Sequence, residues 1–347
     1  MKKLIVVITV CFTINSLKAQ DLDGILLAAD DASLLTENYL NPAIVGLMYS
    51  MNSGWFTTGK VHKKFGFDLT IGGNLSFVPM SAQTFAFNPG DYEFVSLPNG
   101  ETRIRTVMSE DDTVTRIDIS IPDGDNRFKV ASFELPGGIA QDLPLNAVPA
   151  PTVQVGFGLP FKTDIKARFV PNLRFDDVEA SSIGFGLQHD LTQYFGPMDK
   201  LPLNISILGA FSNMKVTTDL SEEELNEDVS TSNGEAEFKM NTWTIQAIGS
   251  LDFVLVTVYG SVGYNSGQTT ARMKGDYTLR YDVEDSNGNT IGSVEETITN
   301  PINLDFEASG MNATLGARLN LGFFKIFADY TFQEYNTASV GIAFSFR

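Results

Sequence analysis

Across residues 311–346 apolar and polar positions alternate almost without a break. Over 311–321 one face carries Met311, Ala313, Leu315, Ala317, Leu319 and Leu321, the other Asn312, Thr314, Gly316, Arg318 and Asn320. A period of two places successive side chains on opposite faces of a sheet. The phase returns in Phe324, Ile326, Ala328, Tyr330 and Phe332, and again in Ala338, Val340, Ile342, Phe344 and Phe346. Three consecutive strands of about ten residues, apolar on one side and polar on the other, fit the wall of a transmembrane β-barrel.

Upstream, residues 21–43 read as helix, with Leu22, Ile25, Leu26 and Ala29 at helical spacing and Asp30-Asp31 able to cap a further turn. Pro42 should end it, because proline disfavours helix in the residue before it. Period two then takes over. The spacing predicts strands over 44–51 and 55–61 around an Asn52-Ser53-Gly54 turn, then one from Phe65 to about Val78. Strands resume at 152–159, 163–170, 182–189, 203–216, 242–251 and 253–267. Tight joins alternate with long, mostly acidic connections at 79–150, 218–237 and 268–303, the asymmetry of an outer-membrane barrel with its long loops outside. The sum is an all-β, antiparallel barrel of about twelve strands, or fourteen if a hairpin within 79–150 (114–121 with 127–134) joins the wall, with a short N-terminal helical plug. The domains expected are a signal peptide at 1–19, a plug at 20–43 and the barrel at 44–347.

The first residues support export. Lys2 and Lys3 precede a short apolar core, and Leu17-Lys18-Ala19 offers a cleavage site. Cys11, the single cysteine, sits inside that core, so the mature chain would hold neither thiol nor disulfide. The formal charge of −18 and pI near 4.4 argue against nucleic acid as a partner. No apolar run is long enough for a membrane helix. The place expected is therefore the outer membrane of a Gram-negative cell. Its lipids and the barrel assembly machinery would be the partners, the latter reading Phe344 and Phe346 as a terminal signal.

Candidate chemistry is sparse. His62 and His189 are the two histidines, and His189-Asp190 is the local pair a barrel hydrolase could use. A solvated strand-end histidine is the better reading, since such a pair is rarely catalytic without a third partner. No histidine or cysteine spacing suits a metal, and Glu222-Glu223-Glu224 lacks the ligand order of a calcium loop. The chain therefore reads as a non-enzyme with no catalytic residues, metal or cofactor. Asp164, Lys166 and Arg168 share the face opposite Ile165, Ala167 and Phe169, and Arg318, Lys325 and Asp329 should join them in the lumen. They could line a charged pore, or pair internally and anchor a plug. Trp55, Phe56, Tyr330 and Tyr335 are placed at strand ends as interface aromatics.

The residues AADDAS (28–33) and Asn41-Pro42-Ala43, followed directly by strands, resemble the plug of the long-chain fatty-acid outer-membrane transporter family. That resemblance implies an N-terminal hatch shaped by Asn41, Pro42 and Ala43 and the uptake of small hydrophobic molecules. This chain reads NPAIVG where that family reads NPAG. Over longer stretches, residues 52–79, 135–171 and 183–195 resemble an uncharacterised family of outer-membrane barrels from Bacteroidota. The function expected is a plugged barrel that admits or binds a small hydrophobic or amphipathic molecule. The alternative is a non-transporting scaffold for surface or secretion machinery.

Overall fold

The computed structural model describes residues 29–123, 126–175, 178–196, 202–220, 229–231, 233–284 and 290–346. The expected signal peptide lies outside them, as do the first turns expected of the helix. Ten strands, numbered along the chain, close an antiparallel barrel. They are β1 (Phe67–Phe77), β2 (Ala147–Leu159), β3 (Thr163–Phe175), β4 (Val178–Asp190), β5 (Leu203–Leu220), β6 (Gly234–Asp252), β7 (Val256–Lys274), β8 (Ile302–Leu321), β9 (Phe324–Phe332) and β10 (Thr337–Phe346). Each pairs with its neighbour in sequence, and β1 closes the ring on β10 in the register Phe67–Phe346 to Ser76–Thr337.

The ring has ten strands rather than twelve because both segments expected at 44–61 lie inside it. A single helix, α1 (Ala29–Asn52), runs through Pro42 and takes in residues 44–51. Residues 42–50 are all buried, so the helix shows no polar face whose 3.6-residue period could betray it. Pro42 removes one N–H, yet packing on all sides keeps the helix going. Among the described residues no helix is long and apolar enough to cross a membrane. The expected Asn52-Ser53-Gly54 turn is instead the end of α1, with Gly54 at φ +69°. The stretch after it, with Trp55 1% exposed and Phe56 4%, belongs to no strand. Trp55, Phe56 and the buried Tyr335 are thus interior residues and not interface aromatics; Tyr335 lies 5.8 Å from the ring of Tyr49 on α1.

The wall is longer than the periodicity of 311–321 suggests, and its faces exchange character partway up. On β8, Met311, Leu315, Leu319 and Leu321 point outward and are exposed, while Asn312 and Thr314 are buried inside. Toward the strand's start the outward positions become Ser309, Glu307, Asp305 and Asn303, and the inward ones Phe306 and Leu304, both 2% exposed. The same exchange occurs on β5, from Phe211 outward to Lys215 outward with Met214 and Val216 inside. On β6 it runs from Trp243 outward to Lys239 outward with Met240 and Phe238 inside. Much of the sequence expected as loop at 218–237 and 268–303 is therefore strand. At about 3.3 Å per residue and a tilt of about 40°, residues 311–321 rise about 25 Å, so the outward apolar belt spans only the half of the barrel with short turns.

Above the belt the barrel encloses an apolar core shared by α1 and residues 79–146. That excursion is a folded cap, whose expected hairpin is present as Thr115–Asp123 paired with Asn126–Leu135 and forms a separate sheet with Val95–Ser96. Asp31, near the start of α1, pins the cap by accepting the backbone N–H groups of Glu93, Phe94 and Val95 at 3.1, 2.7 and 3.0 Å. Val107 N donates to Tyr39 O at 3.1 Å. Hydrogen bonds from Thr113, then from Arg105, pull the Asp111 carboxyl of the cap down to about 2, so its bonds persist through the usual carboxylate range and fail only as pH falls toward that value. Phe306→Ala should destabilise the capped half by about 3 kcal/mol, read as protease cleavage within 79–146 at lower denaturant. Ser309→Ala, facing outward on the same strand, should leave cleavage unchanged.

Candidate functional site

The belt half of the lumen is occupied by residues 53–62, an irregular chain whose backbone groups find no ladder. A buried backbone must satisfy its hydrogen bonds somewhere. Here the wall's inward polar side chains do so. Arg168 on β3 donates to Met51 O at 3.0 Å, Ser53 O at 2.9 Å and Gln154 Oε1 at 3.1 Å, and its guanidinium lies 3.8 Å over the Trp55 ring. Two of those acceptors are carbonyls at the end of α1, where a cation is favoured. Lys166 Nζ donates to Trp55 O at 2.8 Å, and Asp164 accepts His62 N at 3.0 Å and pairs with His62 Nδ1 at 2.9 Å. Gln188 on β4 donates to Thr58 O at 3.0 Å, and Arg318 on β8 to Thr57 Oγ1 at 3.0 Å. Gly184 and Gly186 leave room for the indole: a Cβ on either would lie 3.1–3.2 Å from Trp55.

Of the charged residues expected in the lumen, Asp164, Lys166, Arg168 and Arg318 bind the plug. Asp329 points inward on β9 but accepts the Tyr259 hydroxyl at 2.9 Å, a wall-to-wall contact. Lys325 sits at the short-turn rim and donates to Gly322 O at 3.1 Å. Asn41, Pro42 and Ala43 do not form a hatch loop; they are mid-helix, Asn41 exposed and the other two buried. His189 and Asp190 are adjacent on a strand and so face opposite sides. His189 bonds Thr163 Oγ1 and Tyr194, while Asp190 accepts Thr192 N at 2.7 Å. Sequence reasoning missed the His62–Asp164 pair, and the partners lie 102 residues apart with no local signal. Phe344 and Phe346 face outward on β10, where Phe346 stacks on Phe67 across the closing seam at 5.0 Å.

One seam of the wall is short. β2 and β3 pair only from Gln154–Arg168 to Leu159–Thr163, six register pairs, although both strands run on. Gly158 exchanges backbone bonds with Gly66 and Phe65, so even-numbered residues of β2 turn their backbone groups to β1 and odd-numbered ones to β3. Asp190 N donates to Lys162 O, so odd-numbered residues of β3 face β2. Pro149, Pro151 and Pro171 therefore all face this seam without an N–H to offer. Extending the register would set Pro151 opposite Pro171. The seam opens there into a notch of about 30 Å³, lined by Met51, Thr152, Val153, Arg168, Phe169 and Ser182. Val153 and Phe169, 44% and 58% exposed, form its outer lip, and Arg168 its floor. The signal lay in the three prolines, but only the strand register shows that they meet.

These features define a class, a closed antiparallel barrel with an internal plug and one incomplete seam. The chain belongs to a family of unknown function, the DUF6588 family, whose pattern matches residues 1–346. No curated protein matches it. Among solved structures it is similar to Ail, the attachment invasion locus protein of Yersinia pestis, at 10% identity and a TM-score of 0.25, covering 82% of this chain and 100% of that one. It is also similar to the translocator domain of the autotransporter NalP from Neisseria meningitidis, at 10% identity and a TM-score of 0.30, covering 82% and 90%. Likeness at this level carries no argument, and the architecture rests on the strand register above.

Arg168→Ala strands the carbonyls of Met51 and Ser53 and should loosen the plug at a cost of about 3 kcal/mol. In a Trp243→Phe background the emission of Trp55 should shift to the red. Arg168→Lys, which keeps the charge but not the planar fork, should fall between the two.

Proposed function

We propose that the protein is a Gram-negative outer-membrane barrel that does not conduct through its lumen, and that it binds a small amphipathic molecule from the membrane at the β2–β3 notch. The outward belt, about 25 Å tall and bounded by polar positions on β5, β6, β7 and β8, supports the membrane setting. The plugged lumen speaks against a pore. The observation that carries the reading is the proline-lined seam with Arg168 behind it. An acyl chain would lie along the outer wall over Val153 and Phe169. Its polar head would enter the notch toward Ser182, Ser212 and Arg168. The guanidinium spends two N–H groups on the carbonyls at the end of α1 and one on Gln154 of the wall, and keeps two more, which suit a carboxylate or another small anionic head. The notch, at about 30 Å³, has room for about two water molecules, the space of a carboxylate's two oxygens.

Two measurements test this. Leu315→Arg, in the middle of the belt, should cost about 2–4 kcal/mol in a bilayer, seen as a smaller fraction of heat-modifiable folded band. Ser309→Arg above the belt should be tolerated, and equal tolerance of both would exclude the membrane setting. For the notch, Val153→Cys and Phe169→Cys together can be oxidised to close the outer lip, since Cys11 is the single native cysteine and lies in the expected signal peptide. A polyene fatty acid, whose fluorescence rises on leaving water, should bind the reduced protein and lose most of that binding on oxidation. Binding unaffected by oxidation would sink the lateral site.

A further inference from the structure

Two bands above the middle of the belt, β5 and β6 build a column of matched pairs on the outer wall. The register sets Phe211 beside Trp243, then Asn213 beside Asn241, then Lys215 beside Lys239. Phe211 and Trp243 are 46% and 41% exposed, and Trp243 packs 5.8 Å from Tyr264 on β7. The two amides bond each other at 2.8 Å. Above them both ammonium groups approach a single carboxylate oxygen, Glu237 Oε2, at 3.4 and 2.8 Å, while Lys274 holds Oε1 at 2.6 Å. Groups sharing one oxygen lie at most about 6 Å apart, close enough for one phosphate to bridge both. Each lysine side chain remains nearly half exposed and keeps free donors.

We infer that this column binds a lipid with an anionic phosphate headgroup, its acyl chains against Phe211 and Trp243, its polar backbone against the asparagines and its phosphate between Lys215 and Lys239. This rests on the membrane setting proposed above. Three points carry it. The column follows the order of an amphiphile's own parts, apolar, then hydrogen-bonding, then charged. It sits where the outward belt gives way to polar residues, the height of a headgroup. And it gathers three lysines around two glutamates, Glu237 and Glu235, an excess of one positive charge on a chain whose net charge of −18 would otherwise repel an anionic lipid. Glu237, 6% exposed, orders the ammonium groups, and with Glu235, 3.4 Å from Lys274, it cancels only part of their charge.

The chain has two tryptophans, Trp55 inside the lumen and Trp243 at the foot of this column, so Trp243 reports on bound lipid. The full-length protein in phosphatidylcholine vesicles would receive a small fraction of acyl-brominated phosphatidylglycerol or, in a matched set, of acyl-brominated phosphatidylcholine. Trp243→Phe gives the background from Trp55. The anionic lipid should quench Trp243 with an apparent affinity on the order of 5-fold higher. Lys215→Gln with Lys239→Gln should bring the two lipids to parity, Lys63→Gln with Lys64→Gln at the opposite rim should not, and Glu237→Gln should widen the preference. Equal quenching by both lipids in the unmodified protein overturns the headgroup site and leaves the membrane setting standing. No quenching by either removes the membrane setting itself. Loss of the preference on adding inorganic phosphate would assign the lysines to free phosphate and overturn a lipid site.

Discussion

A chain threaded through a closed barrel has no strand to pair with, and that constraint organises the molecule. Residues 53–59 bring a line of buried or half-buried backbone groups into the lumen before the chain reaches the rim at Lys63 and Lys64. Leaving such groups without partners would cost more than the domain's whole stability margin. The wall answers with side chains from β2, β3, β4 and β8, each aimed at one carbonyl, amide or hydroxyl of the plug. Arg168 does most, joining the end of the helix, the plug's first turn and the Trp55 ring. Charges that suggest a conducting channel when seen in isolation serve here as the plug's substitute for a β-ladder. The pairing also explains the glycines of β4, since the indole needs the space their side chains do not take.

The wall serves two environments in succession. In one half the outside is apolar and the inside polar; in the other the order is reversed, and the inside joins α1 and the cap in an apolar core. A strand crosses from one regime to the other without a break in pairing, as the continuous register of β7 with β8 from Val256–Leu319 to Met273–Ile302 shows. The exchange needs no bulge, only a change in which of two alternating positions carries the apolar residue.

The parts of the fold that were legible in the sequence are those where one periodicity acts alone. Residues 311–346 and the opposed faces of 163–170 could be read because each strand there has one polar and one apolar side. The upper half of β5 to β8 still alternates, but with charged and polar residues outward, and its polarity reads as loop. Residues 44–51 could not be read at all: surrounded by protein on every side, they lost the polar face that marks a helix and look like a strand. Counting them and the plug as wall gives two strands too many. As for the site, the face shared by Asp164, Lys166 and Arg168 was legible from alternation, and the possibility that it anchors a plug followed from size. Its actual partners were not, because Trp55 and Thr58 lie in a segment whose spacing reads as another wall strand, and His62 directly follows it. The seam was hidden for a different reason. Three prolines in strands are visible, but whether they point at the same neighbour depends on a parity that only the pairing reveals.

That seam also divides the molecule mechanically. Six register pairs join β2 to β3, against ten at the closing junction of β1 with β10 and eleven between β1 and β2. The ring's least-stitched line is therefore not the one made last in sequence but an internal one, between a leading piece that holds helix, cap, β1 and β2 and a trailing meander of eight strands. Under load the sheet should tear there first, and the plug would remain tied to both banks, through Gln154 on one and Lys166 and Arg168 on the other. The inner chain thus acts as a suture across the cut, holding closed from within a wall whose own edge cannot be sewn.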